Sequence, residues 1–156
     1  MTEALTIAPG TVLDVDAVVG VMEDSFDPAY GEAWTAPQCA GLLPMPGVWL
    51  TLARQGAEPV GFAMARVIAG EAELLLLAVR RDVQRRGIGK ALLDRFISDA
   101  LQRGAGQLHL EVRDGNEAIH LYRSNGFKEI GRRRNYYRGP SGQLYDALTL
   151  ARASKN

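Results

Sequence analysis

Cysteine is almost missing from this sequence. Cys39 stands alone among 156 residues, which excludes a disulfide framework and a cysteine-rich zinc site and points to a reducing compartment. Only two histidines occur, His109 and His120, and no cysteine, histidine or carboxylate cluster surrounds them at ligand spacing, so no metal is expected. Excess charge of either sign is missing as well: 18 basic residues balance 18 acidic ones, which argues against nucleic-acid binding and leaves only local basic clusters to explain. No run is long and apolar enough to span a membrane, and Met1-Thr2-Glu3-Ala4 lacks the basic and apolar regions of a secretory signal. The expected setting is the cytoplasm, with no membrane partner. Repeats, linkers and low-complexity tracts are absent too. Residues 1–156, 47% of them hydrophobic, therefore read as one domain able to bury a core without staples.

What is present is an alternation of strands and helices. Leu5 to Ala8 reads as a first strand stopped by Pro9-Gly10, and the pattern from Thr11 through Met22 has a helical period. Phe26 to Thr35 is a loop with three aromatics, and Thr35 caps a short helix over Ala36 to Leu43 with Pro37 in its first turn. Val48 to Arg54, Val60 to Ala69 and Ala72 to Val79 read as an antiparallel meander. Gln107 to Val112, reached through a helix, should lie parallel to the Ala72 strand. A short helix over Asn116 to Ser124, a long strand from Phe127 to Tyr137 and a last strand from Leu144 to Leu150 complete an α/β fold.

The stretch from Ala72 to Leu101 organises the rest. A buried strand leads through Gln84-Arg85-Arg86-Gly87-Ile88-Gly89-Lys90 into an amphipathic helix closed by Gly104. Glycines at a helix start are poor on propensity, so close approach of a ligand to the backbone is the functional explanation. The first amides of a helix lack intrahelical partners and its dipole favours anions, so phosphate oxygens fit there. A Walker loop needs glycine where Gln84 stands and Ser or Thr at Ala91, and the dinucleotide fingerprint needs Gly or Ala at Leu92. What remains is Gln-x-x-Gly-x-Gly after a strand. The competing structural reading is a glycine-softened helix start with a solvated basic turn.

This motif, Asn116-Glu117-Ala118-Ile119-His120-Leu121-Tyr122 and Asn125-Gly126-Phe127 occur in an order that resembles the GNAT acetyltransferases over nearly the whole chain. Within them, Leu108 to Arg113, Arg133-Arg134-Asn135-Tyr136-Tyr137 and Asp146-Ala147-Leu148 resemble the RimI-like branch, which acetylates the N-terminal alanine of a ribosomal protein. The resemblance implies a GNAT fold: a single mixed sheet of about seven strands with flanking helices, strands four and five parallel and splayed. It implies acetyl-CoA as co-substrate, its pantetheine arm paired with Leu77, Ala78 and Val79 and its pyrophosphate on the amides of Arg85, Arg86, Gly87, Ile88, Gly89 and Lys90, with Asn116 a further contact. The segment from Glu111 to Tyr122 is one residue shorter than the branch pattern.

Acetyl transfer to an amine needs a neutral nucleophile, a held oxyanion and a proton for the leaving thiolate. An α-amino group titrates near 8 (roughly 7.7 to 8.0), so a carboxylate must take its proton. The resemblance makes Glu111 that base and Tyr122 the acid. It turns Tyr136 and Tyr137 toward the acceptor peptide, and Tyr30 and Trp34 are candidates for the opposite wall. The bland readings are a solvated strand glutamate, a core tyrosine, a loop anchored by its aromatics, and, for Arg132-Arg133-Arg134, a solvated strand face. The expected acceptor is a protein N-terminus. The alternatives are a small amine or lysine acceptor and a catalytically silent CoA-binding module.

Overall fold

The computed structural model describes residues 3–155; Met1, Thr2 and Asn156, the ends of the expected domain, lie outside the described residues. Seven strands make one sheet: β1 Leu5–Gly10, β2 Val48–Gln55, β3 Glu58–Ile68, β4 Glu71–Val79, β5 Gln107–Arg113, β6 Lys128–Arg138 and β7 Leu144–Ala153. Their order is β1-β2-β3-β4-β5-β7-β6. Every neighbouring pair is antiparallel except β4 and β5, which are parallel as the helical crossover between them requires. The helices are α1 Val15–Ser25, α2 Ala36–Leu42, α3 Ile88–Gln102 and α4 Ala118–Ser124.

Two expectations are corrected at the N-terminal end. β1 does not stop at Pro9 but runs through it, Pro9 lying opposite Thr51. An edge strand tolerates proline because one side of its ladder has no partner to donate to. The helix expected from Thr11 begins with a 3-10 turn, Val12–Asp14, whose cap is Thr11: its hydroxyl accepts the Leu13 N–H at 3.2 Å while Asp14 accepts the Thr11 N–H at 2.8 Å. Thr35 and Gln38 cap α2 reciprocally in the same manner, which lets so short a helix persist.

Each face of the sheet carries a core. α3 and α4 lay Leu92, Leu93, Phe96 and Ile119 on one side, and α1 and α2 lay Val18, Val21, Met22 and Cys39 on the other. β4 serves both by means of a bulge. Met64 of β3 opposes Leu76 while Ala65 opposes Leu74, so Leu75 is an extra residue. A one-residue slip exchanges the faces of a strand. Leu74 accordingly packs with α3, whereas Leu76 and Ala78 pack with α1. The pairing of β4 with β5 ends at the same place, at Leu74 opposite Leu110. Beyond it the two strands part.

Candidate active site

Where β4 and β5 separate, a cleft of about 1200 Å³ opens through the middle of the sheet. Glu111 is the first β5 residue past the last β4 pair, so the splay presents it to this space. Its side chain is 13% exposed. Oε1 lies 2.7 Å from Arg133 Nε, and Oε2 is buried with no hydrogen-bond partner. Burial raises the carboxyl above the ordinary glutamate value, Arg133 pulls it back, and Glu73 pushes it up again. A carboxylate with one unpartnered oxygen beside a cleft has the chemistry to accept a proton.

Tyr122 lines the same cleft from α4 and stacks edge-on against Phe127, ring centres 6.0 Å apart. Burial, with Glu32 nearby, pushes its phenol well above the tyrosine range, so it remains a donor at any working pH. The β4 edge from Leu75 to Val79 has no β5 partner among the described residues and borders the cleft. Gln84 Nε2 donates to the Val79 carbonyl at 2.9 Å, which gives the glutamine of the motif a place: it ties the turn to the end of β4.

The turn itself begins at Arg85, φ +66°, and Gly87 caps α3 at φ +84° with no side-chain bond to the helix amides. Only glycine takes that conformation readily. Arg85, Gly87, Gly89 and Lys90 border the cleft. Arg86 does not, and the Ile88 side chain is buried in the core, leaving only its amide at the helix start. A cleft of this volume, with an unpaired strand edge and free helix amides bordering it, fits a thioester carrier ending in phosphates.

The loop between α1 and α2 brings to the cleft what sequence reasoning missed. Glu32, on the loop between α1 and α2, is 9% exposed and pairs with Arg113 Nε, itself 12% exposed. Asn116 Nδ2 donates to Glu32 at 2.9 Å, while its Oδ1 accepts the Ala118 N–H at 2.8 Å. Asn116 borders the cleft, directly after the turn at Gly115 (φ +92°), with its side chain committed to Glu32 and to the start of α4. Tyr30 lies under the Arg113 guanidinium, 3.7 Å from its ring centre, and edge-on to Tyr145 at 5.1 Å. Trp34, Tyr136 and Tyr137 also line the cleft. Burial and Glu32 push Tyr137 above the tyrosine range.

Two walls meet here. A Cβ at Gly31 would overlap the Arg138 carbonyl oxygen, and one at Gly139 would overlap that of Ala29, so loop and hairpin touch backbone to backbone. The Arg132–Arg134 face is solvent-exposed, as the bland reading expects, yet two of its side chains have partners: Arg133 Nε rests on Glu111, and Arg132 bridges Asp114 at 2.8 Å and Asp146 at 2.9 Å. An acidic residue in an aromatic-rich loop was the available signal for Glu32. Among the described residues no group of three or more His, Cys, Asp or Glu is arranged to hold a metal, and no helix is long and apolar enough to cross a membrane.

Residues 16–127 match the acetyltransferase (GNAT) family. The [ribosomal protein bS18]-alanine N-acetyltransferase of Escherichia coli strain K12 is 44% identical over 98 residues, 62% of this chain and 66% of that enzyme's length. A crystal structure of the ribosomal-protein-S18-alanine N-acetyltransferase from Escherichia coli superposes with a TM-score of 0.87 at 32% identity, covering 98% of this chain and 96% of that one. Arabidopsis thaliana NAA60, solved in complex with acetyl-CoA, superposes at a TM-score of 0.84 over 96% of this chain and 98% of that one, with 17% identity, a likeness of fold alone. A match running from α1 to the threshold of β6, over a sheet that opens where β4 leaves β5, makes this chain a member of the GNAT acetyltransferase family.

Proposed function

We propose that the protein transfers the acetyl group of acetyl-CoA to the N-terminal α-amino group of a protein, with a ribosomal-protein alanine as the favoured acceptor and the cytoplasm as its setting. The bare, buried Oε2 of Glu111 at the sheet opening is the observation that carries this reading. Acetyl-CoA supplies the acetyl group as a thioester. Its arm pairs with the β4 edge at Leu77, Ala78 and Val79, and its phosphates meet the amides from Arg85 to Lys90. Glu111 takes a proton from the acceptor amine as the nitrogen–carbon bond forms, and the Tyr122 hydroxyl gives one to sulfur as the carbon–sulfur bond breaks. A backbone amide near Ala78 or Val79 holds the oxyanion between these events. Tyr30, Trp34, Tyr136 and Tyr137 wall the acceptor groove, where amphipathic rings pack a peptide and bond its backbone. The name of the Escherichia coli relative supports the acceptor.

The test is acetylation of peptides with a free N-terminal alanine, compared by mass spectrometry with polyamines and with peptides whose only amine is an internal lysine. Modification confined to the α-amine supports the proposal. Preference for a polyamine or for lysine refutes the acceptor, and binding of acetyl-CoA without turnover on any amine refutes the enzyme.

A further inference from the structure

The bare oxygen of Glu111 has a counterpart in the covered one. Arg133 belongs to β6, and β7 lies between β6 and β5, so its arm crosses a whole strand to reach Glu111 Oε1 at 2.7 Å. The row from Glu111 runs through Thr149 to Gly131, which has no side chain to stand in the way. On either side Arg133 is anchored. Arg132 is fixed by Asp114 and Asp146, and after Arg133 the strand bulges: three residues, Arg134, Asn135 and Tyr136, face Asp146 alone. Asn135 sits at φ +56°, and its N–H donates to Asp146 Oδ1 at 2.9 Å. Such a bulge re-aims side chains beside it. Here Tyr136 is brought to 5.7 Å from the Arg133 guanidinium.

We propose that Arg133 is the positioning residue of the acceptor end: from across β7 it holds Oε1, orients the Glu111 carboxylate and leaves Oε2 unpaired to take up the acceptor amine's proton, directly or through a water. This inference rests on the reading of Glu111 as general base. A buried carboxylate is pushed toward its neutral form, in which it can no longer accept a proton, and a guanidinium against one oxygen opposes that. The other charged neighbours do not replace it. Glu73 of β4 acts in the opposite sense and is itself paired with Arg66 of β3 at 2.9 Å; His109 of β5 acts in the same sense as Arg133 but more weakly; Tyr136 and Tyr137 of β6 are neutral phenols. Because the Arg133 side chain is 61% exposed, its removal leaves no buried vacancy.

The test compares Arg133→Met, Arg133→Gln and Arg133→Lys by the pH profile of kcat/KM for an N-terminal alanine peptide, and by carbon-13 NMR titration of the Glu111 carboxyl in the free protein. Both uncharged variants should lose about tenfold at the acid end and converge on the parent at high pH. Their Glu111 carboxyl should titrate later than in the parent, lysine should restore most of the loss, and KM for acetyl-CoA should stay unchanged. An unmoved carboxyl titration, or a loss equal at every pH, overturns the assignment and reduces Arg133 to a prop for the hairpin. Glu111→Gln separates the two failures. Full turnover in that variant refutes the general-base reading, and the NMR arm still decides what Arg133 does to the carboxyl.

Discussion

Glu111→Gln should make the protein more stable while it abolishes turnover. The carboxylate is 13% exposed with one oxygen unpartnered, and a buried polar atom left so costs about 1–3 kcal/mol, more when charged. Glutamine keeps its carbonyl on Arg133 Nε and leaves its amide group unpartnered where Oε2 stood, so it recovers only the charge part of that cost. Arg133, 61% exposed, loses little by keeping its charge in water. A net gain of about 1 kcal/mol at neutral pH follows, which for a chain of this size raises Tm by about 2–4 °C. The pH dependence fixes the cause. The folded Glu111 carboxyl titrates above its unfolded value, so the folded state binds the proton more tightly. Stability is then highest below the unfolded value near 4.3 and declines as pH rises through the raised folded one. The advantage of glutamine should shrink as the melts are taken from about pH 8 toward about pH 4.5. Thermal melts by circular dichroism across that range, with acetyl-transfer rates on the same samples, make the measurement. A neutral-pH Tm equal to or below the parent's, or a gain of constant size at every pH, would refute the reasoning.

Three further outcomes are expected. Tyr122→Phe keeps the edge-on contact with Phe127 and should lower kcat by about 10²- to 10⁴-fold with the Kd for acetyl-CoA unchanged, read by steady-state kinetics and calorimetry. In Gly87→Val the added Cβ meets no neighbouring atom but the residue must hold φ +84°, at a cost of about 1–2 kcal/mol; calorimetry should show weakened CoA binding, and normal binding would deny the turn its role. Glu32→Ala leaves Arg113 buried without its carboxylate and should cost about 3 kcal/mol in denaturant unfolding, with KM rising for the acceptor peptide and not for acetyl-CoA.

The order of elements, the parallel neighbours β4 and β5 and the glycine turn were legible because periodicity and turn chemistry act locally. The bulge at Leu75 was not: Leu74, Leu75, Leu76 and Leu77 are equally apolar, so no alternation marks where the strand changes faces. Pro9 misled because its effect depends on whether a strand is an edge, which is a property of the sheet. Glu111 and Tyr122 were singled out by resemblance, and the structure brings both to one cleft. Glu32 with Arg113, and Arg133 with Glu111, stayed hidden, since each pair joins residues far apart in the chain and a charged side chain carries no mark of the partner it will find.

Under the proposed function, the glycine contacts between the loop before α2 and the turn after β6 bear on how acceptor choice can change. Gly31 and Gly139 each leave room for the other segment's carbonyl, so the loop before α2 and the turn after β6 form a clasp that neither can loosen alone. A larger side chain at either position is felt by both walls at once. Selection for a bulkier acceptor would then proceed through coordinated changes at two distant places in the chain, and grafting one wall from a relative without its mate should leave the doorway misfitted.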